Sequence, residues 1–264
     1  MDLDSEAQTD QSSIDLTSEE IIAAASAVGS APSLQFVGLE TLSVPTIETA
    51  TRVGLRSLKA RGLVRSFADE YQIDESLAAA VGTMGDPVCL VVITMISTED
   101  RSFTWLYLDQ ENFVSAAILE PGLFRLRFLE RSEFSAAVLG ISGLLDAPFN
   151  LSVPAFRIDL NEGMKLAENH ENPEVDDVLG LILDGVPESI MTGFIRDGGE
   201  ATSVTVVGAD LDNSSMARVI SWFRSTTDAW SRIDVVDGVL FGEPSSPTDL
   251  AAEIAEGPWP ALDN

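Results

Sequence analysis

The sequence predicts a fold of helices and antiparallel strands in which one sheet-and-helix unit occurs twice, and three observations carry that expectation. The first is a repeated order of elements. One unit runs from Asp74 to Gly143: a helix over Glu75 to Met84, four strand-like segments, then a helix opening at Ser132. A second runs from Asn172 to Gly257: a helix over Glu174 to Leu183, strand-like segments from Ser189, then a helix opening at Ser246. The second observation is the match between the closing segments. Arg125-Leu-Arg-Phe-Leu-Glu-Arg-Ser132 leads into one helix as Val239-Leu-Phe-Gly-Glu-Pro-Ser-Ser246 leads into the other. The third is turn chemistry. Short connections at Thr98 to Arg101, at Pro121-Gly122 and at Asp197-Gly198-Gly199 join neighbouring strands as antiparallel hairpins. A duplicated unit of this kind folds as one pseudo-symmetric body and offers a surface more readily than a catalytic pocket.

The elements follow in order. Residues 1–15 are acidic, with few large apolar groups, and are expected as a disordered tail. Thr17-Ser-Glu-Glu20 has the spacing of a capping box, so order is expected from Thr17. Ile21, Ile22, Ala25 and Val28 form an apolar helix face that stops at Gly29. A second helix starts near Pro45, suited to a first helical turn. It puts Ile47, Ala50, Gly54, Leu55 and Leu58 on one side and Arg52, Arg56 and Lys59 on another, and Gly62 closes it. A third helix follows Asp74, a good N-cap residue.

Val88 to Ser97 is nearly all apolar and predicts a central strand. Ser102 to Asp109 alternates, with Phe103, Trp105 and Tyr107 on one face. Asn112 to Leu119 and Leu123 to Glu130 form the next hairpin, and Ser132 is expected to cap the helix after it. In the second half, Phe156 to Leu160 predicts a short strand and Glu162 to Asn169 a helix. Ile190 to Arg196 pairs with Thr202 to Gly208, Asp210 to Ser215 is an acidic loop, and strands follow at Ala217 to Phe223 and Ile233 to Phe241. Pro258-Trp-Pro260 cannot continue a helix. The expected organisation is a tail over 1–15, a first half over 16–150 and a second half over 151–264, joined as one integrated domain.

Charge limits the partners. Fifteen basic residues face 43 acidic ones, a net charge of −28. That field repels nucleic-acid backbones and anionic membranes. Met1-Asp-Leu-Asp-Ser-Glu has no basic n-region and no apolar h-region, unlike a secretory leader. The longest apolar run, Val88 to Ile96, is too short to span a bilayer and right for a buried strand. A cytoplasmic protein without membrane insertion is expected. Cys89, the one cysteine, lies in that run and reads as a small buried hydrophobe.

The familiar catalytic patterns fail one by one. His170, the one histidine, sits in Glu168-Asn-His-Glu171, which reads as a solvated loop. Gly140-Ile-Ser142-Gly143 is followed by Leu144 where a nucleophile elbow needs glycine. One cysteine and one histidine cannot build a zinc site. Asp210-Leu-Asp212-Asn-Ser214 opens like a calcium loop, but Ser215 replaces the glycine and Ser221 the closing acid. Phosphate-binding glycine loops are missing. No catalytic residue, cofactor or metal is therefore expected, although 43 acids leave a carboxylate-only site formally open.

Two clusters remain. Arg52, Arg56, Lys59, Arg61 and Arg65 hold a third of the positive charge and could form the recognition stripe of a helix-turn-helix-like regulator. Three points oppose that alternative: the net charge, the absence of further lysines, and the expectation that another helix, not a wing hairpin, comes next. A solvated helix face is the plainer reading. Trp222, Phe223 and Trp230 are core candidates first and an exposed anchor patch second.

The order of elements resembles the EspG family of secretion-associated proteins from the ESX (type VII) systems of actinobacteria. The resemblance rests on Leu16-Thr17 with its helix, on Arg52-Val-Gly-Leu-Arg-Ser-Leu-Lys-Ala-Arg-Gly-Leu-Val64, and on Ile73-Asp-Glu-Ser-Leu-Ala-Ala-Ala80 before Asp86-Pro87 and a long hairpin. Phe156-Arg-Ile-Asp-Leu160 and Ser246-Pro-Thr-Asp-Leu250 extend it, so that it covers roughly Leu16 to Gly257. It implies an α+β fold: a central, mostly antiparallel sheet shared by two pseudo-two-fold related halves, with flanking helical bundles. It also implies a cytosolic chaperone or adaptor that binds secretion substrates of PE/PPE type without catalysis, as a monomer or a homodimer. The resemblance points only to regions: the loop Thr98 to Arg101 and the helices at Pro173 to Asp184 and Pro247 to Glu256. Individual protein-binding residues stay unassigned.

Overall fold

The computed structural model describes residues 13–30, 44–67, 70–97, 101–150, 155–159, 199–208, 218–236 and 239–256. The chain folds as two compact units. The first comprises Met1–Val88 and Trp105–Phe134, the second Cys89–Thr104 and Ser135–Asn264.

The first unit opens with β1 (Ser13–Thr17), which runs directly into α1 (Ser18–Val28). The capping box forms: the Glu20 amide donates to Thr17 Oγ1 at 3.3 Å, and the Thr17 amide to Glu20 Oε2 at 3.0 Å. Gly29 ends the helix at φ 69°, a conformation open to glycine at little cost. Helix α2 (Val44–Ala60) follows, then the hairpin of β2 (Val64–Phe67) and β3 (Glu70–Ile73), then α3 (Glu75–Gly85), where Asp74 Oδ1 accepts from the amides of Ser76 and Leu77. The chain then leaves through β4 (Cys89–Ile96), which belongs to the second unit, and returns along β5 (Arg101–Leu108). Strands β6 (Phe113–Glu120) and β7 (Leu123–Leu129) complete the first unit, whose strand order is β1-β7-β6-β5. Leu16, Ile21, Leu58, Leu77, Phe113, Leu126 and Phe134 are buried in its core. Phe113 meets Phe134 edge-on, with ring centroids 5.1 Å apart.

Three local expectations change here. Ser13–Asp15, expected in a disordered tail, belong to a strand. Ser13–Asp15 pair antiparallel with β7, and Asp15 accepts two hydrogen bonds from Arg125, so the acidic composition of this stretch hides a strand. The segment after α2 is a hairpin where a helix was expected, because two alternating stretches of four residues are too short to show a period. The helix after β7 opens as a 3-10 turn (Arg131–Glu133) leading into α4 (Phe134–Ile141). Its start is held by Glu133 accepting from the Glu130 amide at 2.7 Å, not by Ser132 as cap.

Asp109 organises the turn between β5 and β6. It accepts from the amides of Glu111 and Asn112 and from the hydroxyl of Thr83 on α3 at 2.6 Å. Burial alone would raise its pKa. The hydrogen bonds from Thr83, Asn112 and Glu111 outweigh it and hold the carboxyl below its usual range. A carboxyl depressed in the folded state contributes stability above its unfolded pKa and loses it as pH falls through the folded value. The stability gap between the parent and Asp109→Asn is therefore expected to be widest near pH 7 and to close below about pH 4. Urea unfolding at both pH values measures it.

The second unit contains β4, β8 (Phe156–Asp159), β9 (Glu200–Gly208), β10 (Arg218–Arg224), β11 (Trp230–Val236), β12 (Val239–Pro244) and α5 (Pro247–Ala255). The strand order is β4-β9-β10-β11-β12-β8. The registers are antiparallel, with Val91 opposite Val206, Ile220 opposite Val204 and Asp234 opposite Phe241. The predicted strand at Ile233 to Phe241 is divided between β11 and β12.

Strands β4 to β7 lead into α4, and β9 to β12 lead into α5. The last strand of each run also pairs with a strand that precedes the run in sequence: β7 with β1, and β12 with β8. The leading strands β4 and β9 pair with one another. The fold class is thus α+β with antiparallel sheet and flanking helices. The expected helices at 162–169 and 174–183, the strand at 190–196, the loop at 210–215, His170 and Pro258 to Pro260 lie outside the described residues.

Cys89, on β4, is fully buried, and burial pushes its thiol up to about 11. Since the thiolate is the reactive form, the native protein is expected to resist a thiol reagent near pH 8 and to react fully once unfolded. Comparing labelling with and without guanidinium checks this.

Candidate functional site

Carboxylates are the one catalytic possibility left open by the sequence. Three described carboxyls, Asp15, Asp109 and Asp249, lie below their usual range. A hydrogen bond from Arg125 lowers Asp15, and hydrogen bonds from Ser246 lower Asp249. A general acid needs the opposite displacement. The depressions lined by described residues are open. The acidic one beside Asp86, Asp109 and Glu111 has a volume of about 350 Å³. Ser142 is buried and donates to the Leu139 carbonyl, which occupies the hydroxyl within its own helix turn.

The aromatic cluster is core. Trp222 and Trp230 are about as buried as any residue in the second unit, and Phe223 is buried with them. Trp230 Nε1 donates to the Pro148 carbonyl at 2.9 Å, and the Arg224 guanidinium lies over the Trp230 ring at 5.5 Å. Arg224 also pairs with Asp228 and Glu200. These aromatics shape the second unit from inside.

Of the three regions the resemblance indicated, residues 98–100 and 173–184 lie outside the described residues, and Pro247 to Glu256 is α5. Ser246 caps α5 by accepting from the Asp249 amide at 3.0 Å, and Pro247 sits in its first turn. Leu250 and Ile254 bury the inner face. Glu253 accepts from Arg232 Nε at 2.5 Å and from Nη2 at 2.7 Å, fixing the helix to β11. These bonds raise the Arg232 guanidinium pKa even further and keep it charged. The outer face shows Thr248, Asp249, Ala252, Ala255 and Glu256 to solvent. It is small and acidic, so a partner could approach its backbone closely.

Exposed apolar side chains mark the other candidate surfaces. In the first unit Ile118 and Leu119 are exposed at the end of β6, where the ladder with β7 shifts register between Ile118 and Glu120. In the second unit Leu145 and Phe149 are exposed beyond α4, as are Val219 and Val236 on the strands. Sequence reasoning missed all of these. Each sits in an apolar stretch that reads as core, and the register shift that exposes Ile118 has no sequence marker.

The basic cluster is split by the structure. Arg61 Nη1 donates to Glu20 at 2.8 Å and to the Asp15 carbonyl at 2.9 Å. Lys59 Nζ lies 4.8 Å above the Tyr71 ring. Arg52, Arg56 and Arg65 are exposed.

No family model matches the chain. No curated protein matches its sequence. A solved structure that the chain resembles is matched over nearly its whole length. The fold resembles that of EspG5. That structure shows the Mycobacterium tuberculosis type VII secretion system chaperone EspG5 in complex with the PE25-PPE41 dimer, and the two chains superpose with a TM-score of 0.57. The match covers 94% of this chain and 98% of EspG5, at 11% identity. At that identity the likeness to EspG5 is one of fold, and it meets the expectation of an EspG-like α+β architecture.

Proposed function

We propose that this chain is a non-enzymatic chaperone or adaptor of the cytoplasm, and that its client is a helical secretion substrate of PE/PPE type. The observation that carries the proposal is the match to EspG5 across both chains, since EspG5 was solved with a PE–PPE dimer bound. The shallow depressions, the lowered carboxyls and the exposed apolar residues on both units agree with a protein that works through surface. The client's contacts are assigned by region to the outer face of α5 and the exposed strand ends. Co-expression with a PE–PPE pair, followed by size exclusion, tests it. One stoichiometric peak containing all three chains supports the reading, and separate elution contradicts it.

A second reading is favoured by one observation. The hairpin β2–β3 follows α2, so the helix with Arg52 and Arg56 does have a wing-like neighbour, and one objection to a helix-turn-helix-like regulator falls. Arg61 and Lys59 nonetheless engage Glu20 and Tyr71, and the net charge of −28 opposes approach of a long polyanion. The chaperone reading is the better supported of the two.

A further inference from the structure

We infer that the outer face of α2 is a docking site for a short acidic amphipathic segment of a partner protein, a surface that does not depend on the chaperone reading. Arg52, Val53, Arg56 and Lys59 recur at the three- and four-residue spacing that puts them on one side of the helix, and all four are exposed. Val53 is 51% exposed, and Tyr71, beneath Lys59, is 49% exposed. The face therefore joins cationic groups to two large apolar ones, the composition of a binding anchor. Arg52 and Arg56 make no ion pair among the described residues, in a chain with 43 acids that could have neutralised them. The helix beneath is firmly set. Gly54 lies against α1, and Arg61 holds the buried Glu20, so the face is pre-organised and little ordering is needed on binding.

The size of the patch selects the occupant. From Arg52 to Lys59 the helix rises about 10 Å, close to one Debye length at physiological salt. A segment of two or three helical turns with two or three acids feels mainly this local field. A DNA duplex or an anionic membrane extends well beyond it, over a surface whose net charge is strongly negative, and is repelled there.

The test is selection from a random helix-display peptide library with the full chain as bait, followed by fluorescence anisotropy on the enriched peptides. The comparison is Arg52→Glu/Arg56→Glu, with Val53→Asp as a second variant and thermal melts confirming that both fold. Fluorescent duplex DNA and phosphatidylserine vesicles are measured alongside at low salt. The expected result is enrichment of peptides that combine acidic and apolar residues at helical spacing, each losing at least about tenfold in affinity to either variant, with no binding of DNA or vesicles. Failure to enrich, enrichment of neutral or basic peptides, or equal binding by the variants overturns the inference. DNA or vesicle binding that Arg52→Glu/Arg56→Glu abolishes also overturns it, in favour of a polyanion site.

Discussion

Replacing Gly54 by alanine is expected to destabilise the first unit by about 3 kcal/mol, against the ordinary trend for a helix. In an exposed helix interior the same change gains about 1 kcal/mol, because alanine is the better helix former. Here a Cβ on Gly54 would lie 2.0 Å from the Glu19 carbonyl oxygen and 2.8 Å from the Ala23 Cβ. The obstacles are the backbone of α1 and a side chain with no freedom to move away. The two helices would have to separate, and Ala23, Ala24, Ile21 and Leu58, all buried at this level, would lose contact. Gly82, in the interior of α3, is the internal control. Nothing lies within 4 Å of the place its Cβ would occupy. Gly82→Ala is expected to hold or raise stability in the same urea series. Equal behaviour of the two variants would show that the close approach of α1 and α2 is not what holds this unit.

The second large effect concerns Glu20. Its carboxylate is 2% exposed, and it accepts from Arg61 at 2.8 Å, from the Ser57 hydroxyl at 2.7 Å and from the Thr17 amide. A buried charge is costly unless it is paired, so removing the cation alone is more damaging than removing both charges. Arg61→Met is expected to cost about 3 kcal/mol. Adding Glu20→Gln should recover much of that loss, because the amide still accepts hydrogen bonds and no longer leaves a charge in the core. The coupling in a double-mutant cycle is then large and favourable to the pair of changes. Additive losses would mean that water reaches Glu20 and solvates it. The same contact explains why Arg61, which reads in sequence as one more member of a basic stripe, has a structural task.

Much of this architecture was legible in the sequence. The capping box at Thr17, the N-caps Asp74 and Ser246, the turn at Gly122 and the all-apolar strand around Val91 are local signals, and local chemistry fixes them. What escaped has a physical reason in each case. Strand β1 is short, follows an acidic stretch and is recognisable only through its partner β7. The hairpin β2–β3 is too brief to show a period. The division between β11 and β12 did have a local marker, the dipeptide Asp237-Gly238, which the apolar run on either side obscured. The candidate surfaces were the least legible, since exposure of Ile118, Val219 or Tyr71 depends on which neighbours cover a strand, and no local pattern records that.

The central claim is that the chain keeps a helical secretion substrate soluble by binding it, and solubility measures this most directly. A PPE-type protein with its PE partner would be expressed alone, with this chain, and with the Arg61→Met variant, and the soluble fraction quantified. The expected result is a shift of the client from the insoluble to the soluble fraction with the parent chain, in stoichiometric association and without nucleotide, and a weaker shift with the destabilised variant. Client that stays insoluble beside abundant folded chain, or is equally soluble without it, would contradict the claim.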